Sequence, residues 1–382
     1  MRKILSVNDK LMMAREKKIL ATLCGIAVLA MLFATLWPFN PFPPNRVSWL
    51  ADANGVRFGG PGVALSKAPL LAASSEEGNS CSLELLLRPA SADVSTTILT
   101  FSGPDNPQQF AVRQWLHSLL VTRDTPTGQN TLKRTKFDVP HVFQPEKLAL
   151  VTVTSGPSGT VVYLNGRHAQ TFSKFTILPK DLSGQIVMGT SSVDYQPWPG
   201  EISGLAIYSK ELAASEVEQH YAKWVDGSGS DDPDRAVARY VFAERTGNEI
   251  HNSVATQPSL EIPSYFQIPH KVMLKPVWKE FEETKVYLID VVVNVVGFMP
   301  LGFIFAAYFL LAHSRGKAIL YATLAGGSLS FLIELLQAYI PQRFSGTTDI
   351  ITNTLGALLG AMLARPNLVG YVLTRMKLKD AS

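Results

Sequence analysis

The stretch FLIELLQAYIPQRFSGTTDIITNTLGALLG, residues 331–360, is apolar enough over most of its length for a lipid bilayer, yet it carries Glu334, Gln337, Arg343, Asp349 and Asn353. Ionisable groups in membrane segments are costly and usually face a bundle interior or a wet cavity. The stretch therefore reads as two spans joined by the loop IPQRFSGTTD, with its polar groups gathered near that loop. Glu334 and Gln337 share one helical face, at i and i+3.

Composition supports a membrane setting. The 382 residues suit two or three modules. The charged fraction is 17% and the apolar fraction 46%, against about 25% charged in ordinary globular domains. A net charge of +4 without a long basic run argues against a nucleic-acid partner. The two cysteines, Cys24 in an apolar run and Cys81 in a strand-like one, are not expected to pair, and neither belongs to a metal-ligand pattern.

Outward from the quoted stretch, a first span covers residues 19–37, ILATLCGIAVLAMLFATLW. It is uncharged and long enough for a hydrocarbon core that needs about 20 residues. WPFNPFPPN follows it instead of a small-x-small cleavage site, so it is expected to remain as an anchor. Three more spans are expected at about 287–311, 318–340 and 350–364, and residues 368–373 could extend the last. Basic residues set the orientation. Arg2, Lys3, Lys10, Arg15, Lys17 and Lys18 precede the first span, Arg315 and Lys317 separate the second and third, and Arg365, Arg375, Lys377 and Lys379 follow the fourth. Four spans put all three groups, and both termini, in the cytoplasm. Asp290, Glu334 and Asp349 then lie towards the outer face.

Between residues 46 and 224 the pattern changes to short β-like runs separated by Gly, Pro, Asn and Ser, including CSLELLLRP, KLALVTVT, TVVYLNG and ISGLAIYS. Many short strands without long helices predict a two-sheet sandwich or jelly roll. VYLNGRH reads as a strand entering a tight turn at Asn165-Gly166. ELAASEVEQHYAKW is the one helix-like piece. Tyr195 and Trp198, in DYQPWPG, are candidates for stacking on a sugar, and Asp194 is a candidate calcium ligand.

The membrane part holds an internal echo. Asp290 opens DVVVNVVG and Asp349 opens DIITNTLG, both D-x-x-x-N-x-x-G. Positions i, i+4 and i+7 share a helix face. Asp290, Asn294 and Gly297 thus form one stripe, and Asp349, Asn353 and Gly356 another. The two helices are expected to run parallel. Gly356 and Gly360 add a G-x-x-x-G pair suited to close helix approach, and Gly297 is expected to serve packing as well.

Two resemblances follow from these residues. CSLELLLRPA, KLALVTVTSGPSGTVVYLNGRHAQTF and GQIVMGTSSVDYQPWPGEISGLAIYSKELAASEVEQHY resemble the laminin-G-like, concanavalin A-like jelly roll. That resemblance implies glycan or protein binding, with calcium as a candidate cofactor. DVVVNVVGFMPLGF through IELLQAYIPQRFSGTTDIITNTLGALLG resembles the VanZ-like family, named after a protein linked to teicoplanin resistance. It implies that Asp290, Asn294, Glu334, Gln337, Arg343, Asp349 and Asn353 occupy family motif positions, and it implies a bacterial source.

The expected fold class is mixed: an all-α transmembrane bundle of about four helices with an extracytoplasmic all-β sandwich. The expected map is a basic cytoplasmic N-terminus at 1–18, a span at 19–37 and a jelly roll at 46–226. It continues with a linker, extra strands and membrane approach at 227–285, a VanZ-like region at 286–365 and a cytoplasmic tail at 366–382. The expected function is that of a multi-pass envelope protein of a bacterial inner membrane. Its jelly roll would bind a glycan or an envelope protein, in polysaccharide assembly or glycopeptide tolerance. The alternative is a membrane enzyme or lipid-handling protein acting on a lipid-linked saccharide. There Glu334 or Asp349 would be the catalytic base and Arg343 the phosphate-holding cation. No serine or cysteine nucleophile motif, H-E-x-x-H or Gly-rich phosphate loop favours catalysis.

Overall fold

The structure is a computed structural model that describes residues 7–71, 79–128, 131–226, 236–254, 257–281, 284–367 and 369. The GSGSDDPD linker, Arg2, Lys3, the basic tail residues Arg375, Lys377 and Lys379, and most of the suggested extension over 368–373 lie outside the described residues. The chain divides into two compact units. One combines residues up to Pro41 with those from Val272 onward, and the other is Phe42–Lys271.

The first unit is helical. Its elements are α1 (Val7–Leu36), then, after the other unit, a one-turn helix (Val277–Glu280) and three longer helices at Lys285–Phe309, Arg315–Ala338 and Thr347–Leu363. With α2 given to Ala214–Val225 in the second unit, these four are α3, α4, α5 and α6. Among the described residues three segments are long and apolar enough to cross a membrane: Ala14–Leu36, Lys285–Phe309 and Arg315–Ala338. At about 1.5 Å per residue, the 17-residue α6 is about 25 Å long, so as a fourth span it would cross a core about 30 Å thick only where the bilayer thins around it. Helix α1 starts before the expected span because the preceding Lys, Glu, Arg, Met and Ala are good helix formers.

Small residues set the packing. A Cβ added to Gly356 would lie 2.2 Å from the Val295 carbonyl oxygen, and one on Gly360 would lie 1.9 Å from that of Met299. Gly302 meets the backbone of Ala357 in the same way. The pairs Asn294–Asp349, Val295–Gly356 and Met299–Gly360 rise together in sequence, so α4 and α6 run parallel. Helix α5 runs antiparallel to α6: Glu334 lies by Gly346, Ser330 by Asn353, and Gly326 by Ala357. Leu36, Phe298, Leu301, Leu329, Ile333 and Ile340 form an apolar cluster at one end, and Leu20, Ala306, Ala322 and Ala361 belong to one at the other. Val286, Ile289, Val292, Val293 and Val296 of α4 stay exposed, as a lipid-facing stripe requires.

The second unit is a sandwich of two antiparallel sheets. One contains β1 (Val47–Trp49), β2 (Val56–Phe58), β4 (Cys81–Pro89), β9 (Ala149–Gly156), β10 (Gly159–Leu164), β11 (Arg167–Phe172) and β13 (Gly200–Tyr208), with β14 (Ala236–Tyr240) beside β13. The other contains β3 (Ala64–Ser66), β5 (Ser95–Ser102), β6 (Phe110–Trp115), β7 (Ser118–Gly128), β8 (Thr131–Val139), β12 (Gln185–Met188), β15 (Glu249–Ile250) and β16 (Leu260–Glu261). The inward residues Phe58, Leu85, Phe101, Phe110, Val151, Ile186 and Ile207 meet in one core. The segment read as linker and extra strands supplies β14, β15 and β16, and it buries Tyr240, Phe242, Ile250 and Leu260 in that core. The turn between β10 and β11 has positive φ at Asn165 and Gly166, as a tight two-residue hairpin demands.

Helix α2 packs on the outer face of the first sheet through Val217 and Trp224, over Leu86, Leu150 and Tyr208. Beneath it, fully buried Glu84 accepts hydrogen bonds from Tyr208 Oη at 3.2 Å and Trp224 Nε1 at 2.9 Å, and lies 3.0 Å from His220 Nδ1.

Candidate functional site

Helix α6 begins at Gly346, an N-cap position without a side chain to accept from the first N–H groups. Those orphan donors need acceptors from elsewhere. Glu334, 1% exposed on α5, accepts from the Gly346 N–H through Oε2 at 2.8 Å. Glu280 of α3 accepts from the Thr348 N–H at 2.9 Å and from its hydroxyl at 2.6 Å. Both carboxyl groups also face the positive end of the helix dipole. The close approach requires glycine at the cap, since a Cβ on Gly346 would lie 1.6 Å from Glu280 Oε1. A short backbone bridge holds the corner, with Lys275 N–H donating to Ser345 O at 2.9 Å and Thr347 N–H donating to Lys275 O at 2.9 Å.

Asp349, in the first turn of α6, accepts from Asn294 Nδ2 of α4 at 2.7 Å. It lies close enough to Glu334 for the two carboxyl groups to interact. One turn on, Asn353 donates to Ser330 Oγ at 3.0 Å, and its buried carbonyl oxygen has no hydrogen-bond partner. Gln337 donates to the Thr35 carbonyl at 3.0 Å. Arg343 donates to the Trp37 carbonyl, so it ties the end of α1 instead of meeting Glu334 or Asp349 as the sequence allowed.

Of the seven expected cluster residues, the structure brings Asn294, Glu334, Asp349 and Asn353 together and puts Gln337 and Arg343 on α1. Asp290 stays exposed on α4. Gly297 is exposed too, and a Cβ there meets nothing within 4 Å, which corrects its assignment to packing. The two D-x-x-x-N-x-x-G stripes are therefore not equivalent. Helix α6 lies against both α4 and α5 and buries its stripe, whereas only Asn294 of the α4 stripe turns inward. Glu280 was missed because nothing in KEFEE marks one acid as a cap for a helix almost seventy residues away. The side-chain-free Gly346 just before a helix start is the one sequence signal for such a need.

In the sandwich, Trp198 is fully buried and donates to Gln114 Oε1 at 2.7 Å. It is a core residue and no stacking platform, because Gly200 leaves room for its ring. Tyr195 packs edge-on against Phe266, with ring centroids 5.5 Å apart. Asp194 interacts with the charges of Arg113 and Arg134, which disfavours a cation there. Among the described residues no group of three or more His, Cys, Asp and Glu side chains is arranged to hold a metal ion.

This architecture defines a class of protein: a helical bundle with helices long and apolar enough to cross a membrane, joined in one chain to a two-sheet β-sandwich. Residues 59–218 match the Concanavalin A-like lectin/glucanases superfamily. Residues 238–370 match the VanZ/LLP1 family, so the chain carries a VanZ-like domain as well as the jelly roll. The VanZ/LLP1 match begins within β14, ahead of the helical unit, and leaves out α1. No curated protein matches the chain. Similar solved structures include a Bacteroides ovatus protein named for carbohydrate binding, at 13% identity and TM-score 0.38, over 59% of this chain and 61% of that one. The receptor binding domain of a botulinum neurotoxin C/D mosaic is 15% identical with TM-score 0.36, over 48% and 46% of the two chains. A heptameric SAP-like pentraxin from Limulus polyphemus is 12% identical with TM-score 0.35, over 60% and 95%. The chain spans less than two thirds of the length of the first two.

Proposed function

We propose that this protein is a bacterial inner-membrane envelope protein. Its bundle anchors it with both termini in the cytoplasm, and its sandwich, on the outer face, binds a glycan or a glycan-bearing partner. Polysaccharide assembly and glycopeptide tolerance are the processes it would serve. One observation carries the reading. Apart from the Asn353 side-chain oxygen, the buried polar groups of the bundle are engaged with one another and with helix-end backbone, and Glu334, Gln337 and Arg343 act as caps and ties. Recognition is thereby left to the sandwich, whose lectin-type fold supports saccharide binding. The distribution of Lys and Arg supports the orientation.

A second reading has its own support. Glu280, Glu334 and Asp349 converge at one level of the bundle, where a lipid-linked headgroup could meet them. Native mass spectrometry of the gently purified full-length protein, beside Glu334→Gln and Asp349→Asn, separates the two. The expected result is a saccharide ligand retained by both variants. A lipid-linked saccharide that co-purifies with the wild type and is absent from both folded variants would move the function into the bundle.

A further inference from the structure

Both sheets of the sandwich stop on the same side. Among the described residues β8 pairs only with β7, and β11 only with β10, and these two edge strands approach each other. A cleft of about 550 Å³ opens there. Its walls hold three cations, Arg123, Lys136 and Lys174, and three aromatic rings, Phe137, Phe172 and Phe175, and no carboxylate.

The rings form one stack. Phe137 lies on Phe172 with centroids 4.1 Å apart and meets Phe175 edge-on at 4.8 Å. Phe137 and Phe175 are buried, and half-buried Phe172 is the ring that reaches the opening. Arg123 is held in place: its guanidinium donates to the Thr176 carbonyl, lies 5.3 Å from the centre of the Phe175 ring and is 3.6 Å from Asp181. Its buried Nε has no hydrogen-bond partner. Lys136 and Lys174 are exposed, and neither has a carboxylate partner among the described residues. Thr171 and Ser173 add hydroxyls, and edge strands present unpaired backbone N–H and C=O groups.

We infer that this open-edge cleft is a binding site for an acidic saccharide, one whose ring carries a carboxylate or a phosphate. An aromatic ring at the mouth offers a surface to the apolar face of a sugar. Flanking ammonium groups without a local acid select for an anion on that sugar. The mixture of apolar lining and a few convergent polar groups is what small-ligand sites share. A neutral glycan would leave two lysines without a role. A purely electrostatic site would not need the ring. The inference rests on the sandwich being the glycan-binding part.

The test uses the full-length protein in detergent, titrated calorimetrically with hexagalacturonate, phosphomannan fragments, maltohexaose and polyglutamate. The variants are Lys136→Gln/Lys174→Gln and Phe172→Ala, each checked for an unchanged melting profile. The expected result is binding of at least one acidic saccharide, weakened about tenfold or more in the lysine pair and in Phe172→Ala, with maltohexaose and polyglutamate much weaker. Hexagalacturonate and phosphomannan report separately on carboxylate and phosphate. Equal binding of polyglutamate, acidic-saccharide binding untouched by the variants, or no binding of either acidic probe overturns the site, and the lysines are then protection for exposed sheet edges. Maltohexaose binding that survives the variants overturns the site but keeps the sandwich as a saccharide binder. Silence of the intact protein across a broad glycan array removes both.

Discussion

Glu84 shows how one buried charge can organise a surface. Its two oxygens take Tyr208, His220 and Trp224, so α2 is tied to the sheet through a single carboxylate. An amide in its place can keep its oxygen on Tyr208 and Trp224, but its NH2 then faces His220 Nδ1, and wherever that nitrogen carries the proton two buried donors meet without an acceptor, at a cost of about 1–3 kcal/mol. Glu84→Gln is expected to lower sandwich stability by that amount, read as an earlier loss of tryptophan fluorescence in urea. Elsewhere in the unit, burial lowers the Lys271 ammonium from its ordinary 10.5 to about 8. A depressed folded-state value means that the neutral amine favours the fold. The contribution is present above about 10.5 and lost as pH falls through about 8. Lys271→Met is therefore expected to flatten part of the stability change between these limits, measured as the difference between the wild-type and variant melting temperatures across that range. Gly346 belongs to the same scale: Gly346→Ala is expected to loosen the start of α6 by displacing Glu280, visible as faster amide exchange at Thr348.

At the scale of elements, the α4–α6 seam separates glycines that matter from one that does not. A side chain at Gly360 collides with the backbone of Met299, and backbone cannot step aside as a flexible side chain can. Gly360→Leu is expected to cost about 1–3 kcal/mol or to part the helices. Gly297→Ala, facing open space, is expected to stay within about 1 kcal/mol of wild type. Unfolding in mixed micelles with increasing SDS compares the pair directly, and equal losses would contradict the seam. The sequence alone marked both glycines alike, because a period of i, i+4, i+7 identifies a stripe but not which way the stripe turns. Asp290 and Trp198 share this cause. Both were chosen by residue type and spacing, and their environments came from neighbours far along the chain.

For the whole molecule, the basic residues in the first half of α1, at the start of α5 and after α6 imply one sidedness. Reporter fusions at the two ends should be active only as cytoplasmic reporters, and protease added outside spheroplasts should reach the sandwich. A C-terminal reporter active outside would reverse the orientation. Much of this architecture was legible in the residues. Long uncharged runs can satisfy their backbone in lipid only as helices, and short alternating runs divided by Gly, Pro and Asn-Gly can bury one face only as paired strands. These are local rules, and the spans, the sandwich and the β10–β11 turn follow from them. The tertiary structure alone decided that Trp198 is core, that Asp290 and Gly297 face outward, that Glu280 caps a distant helix, and that β8 and β11 leave one cationic, aromatic edge open. Each of these depends on which distant segments meet, and that is settled by packing of the entire chain.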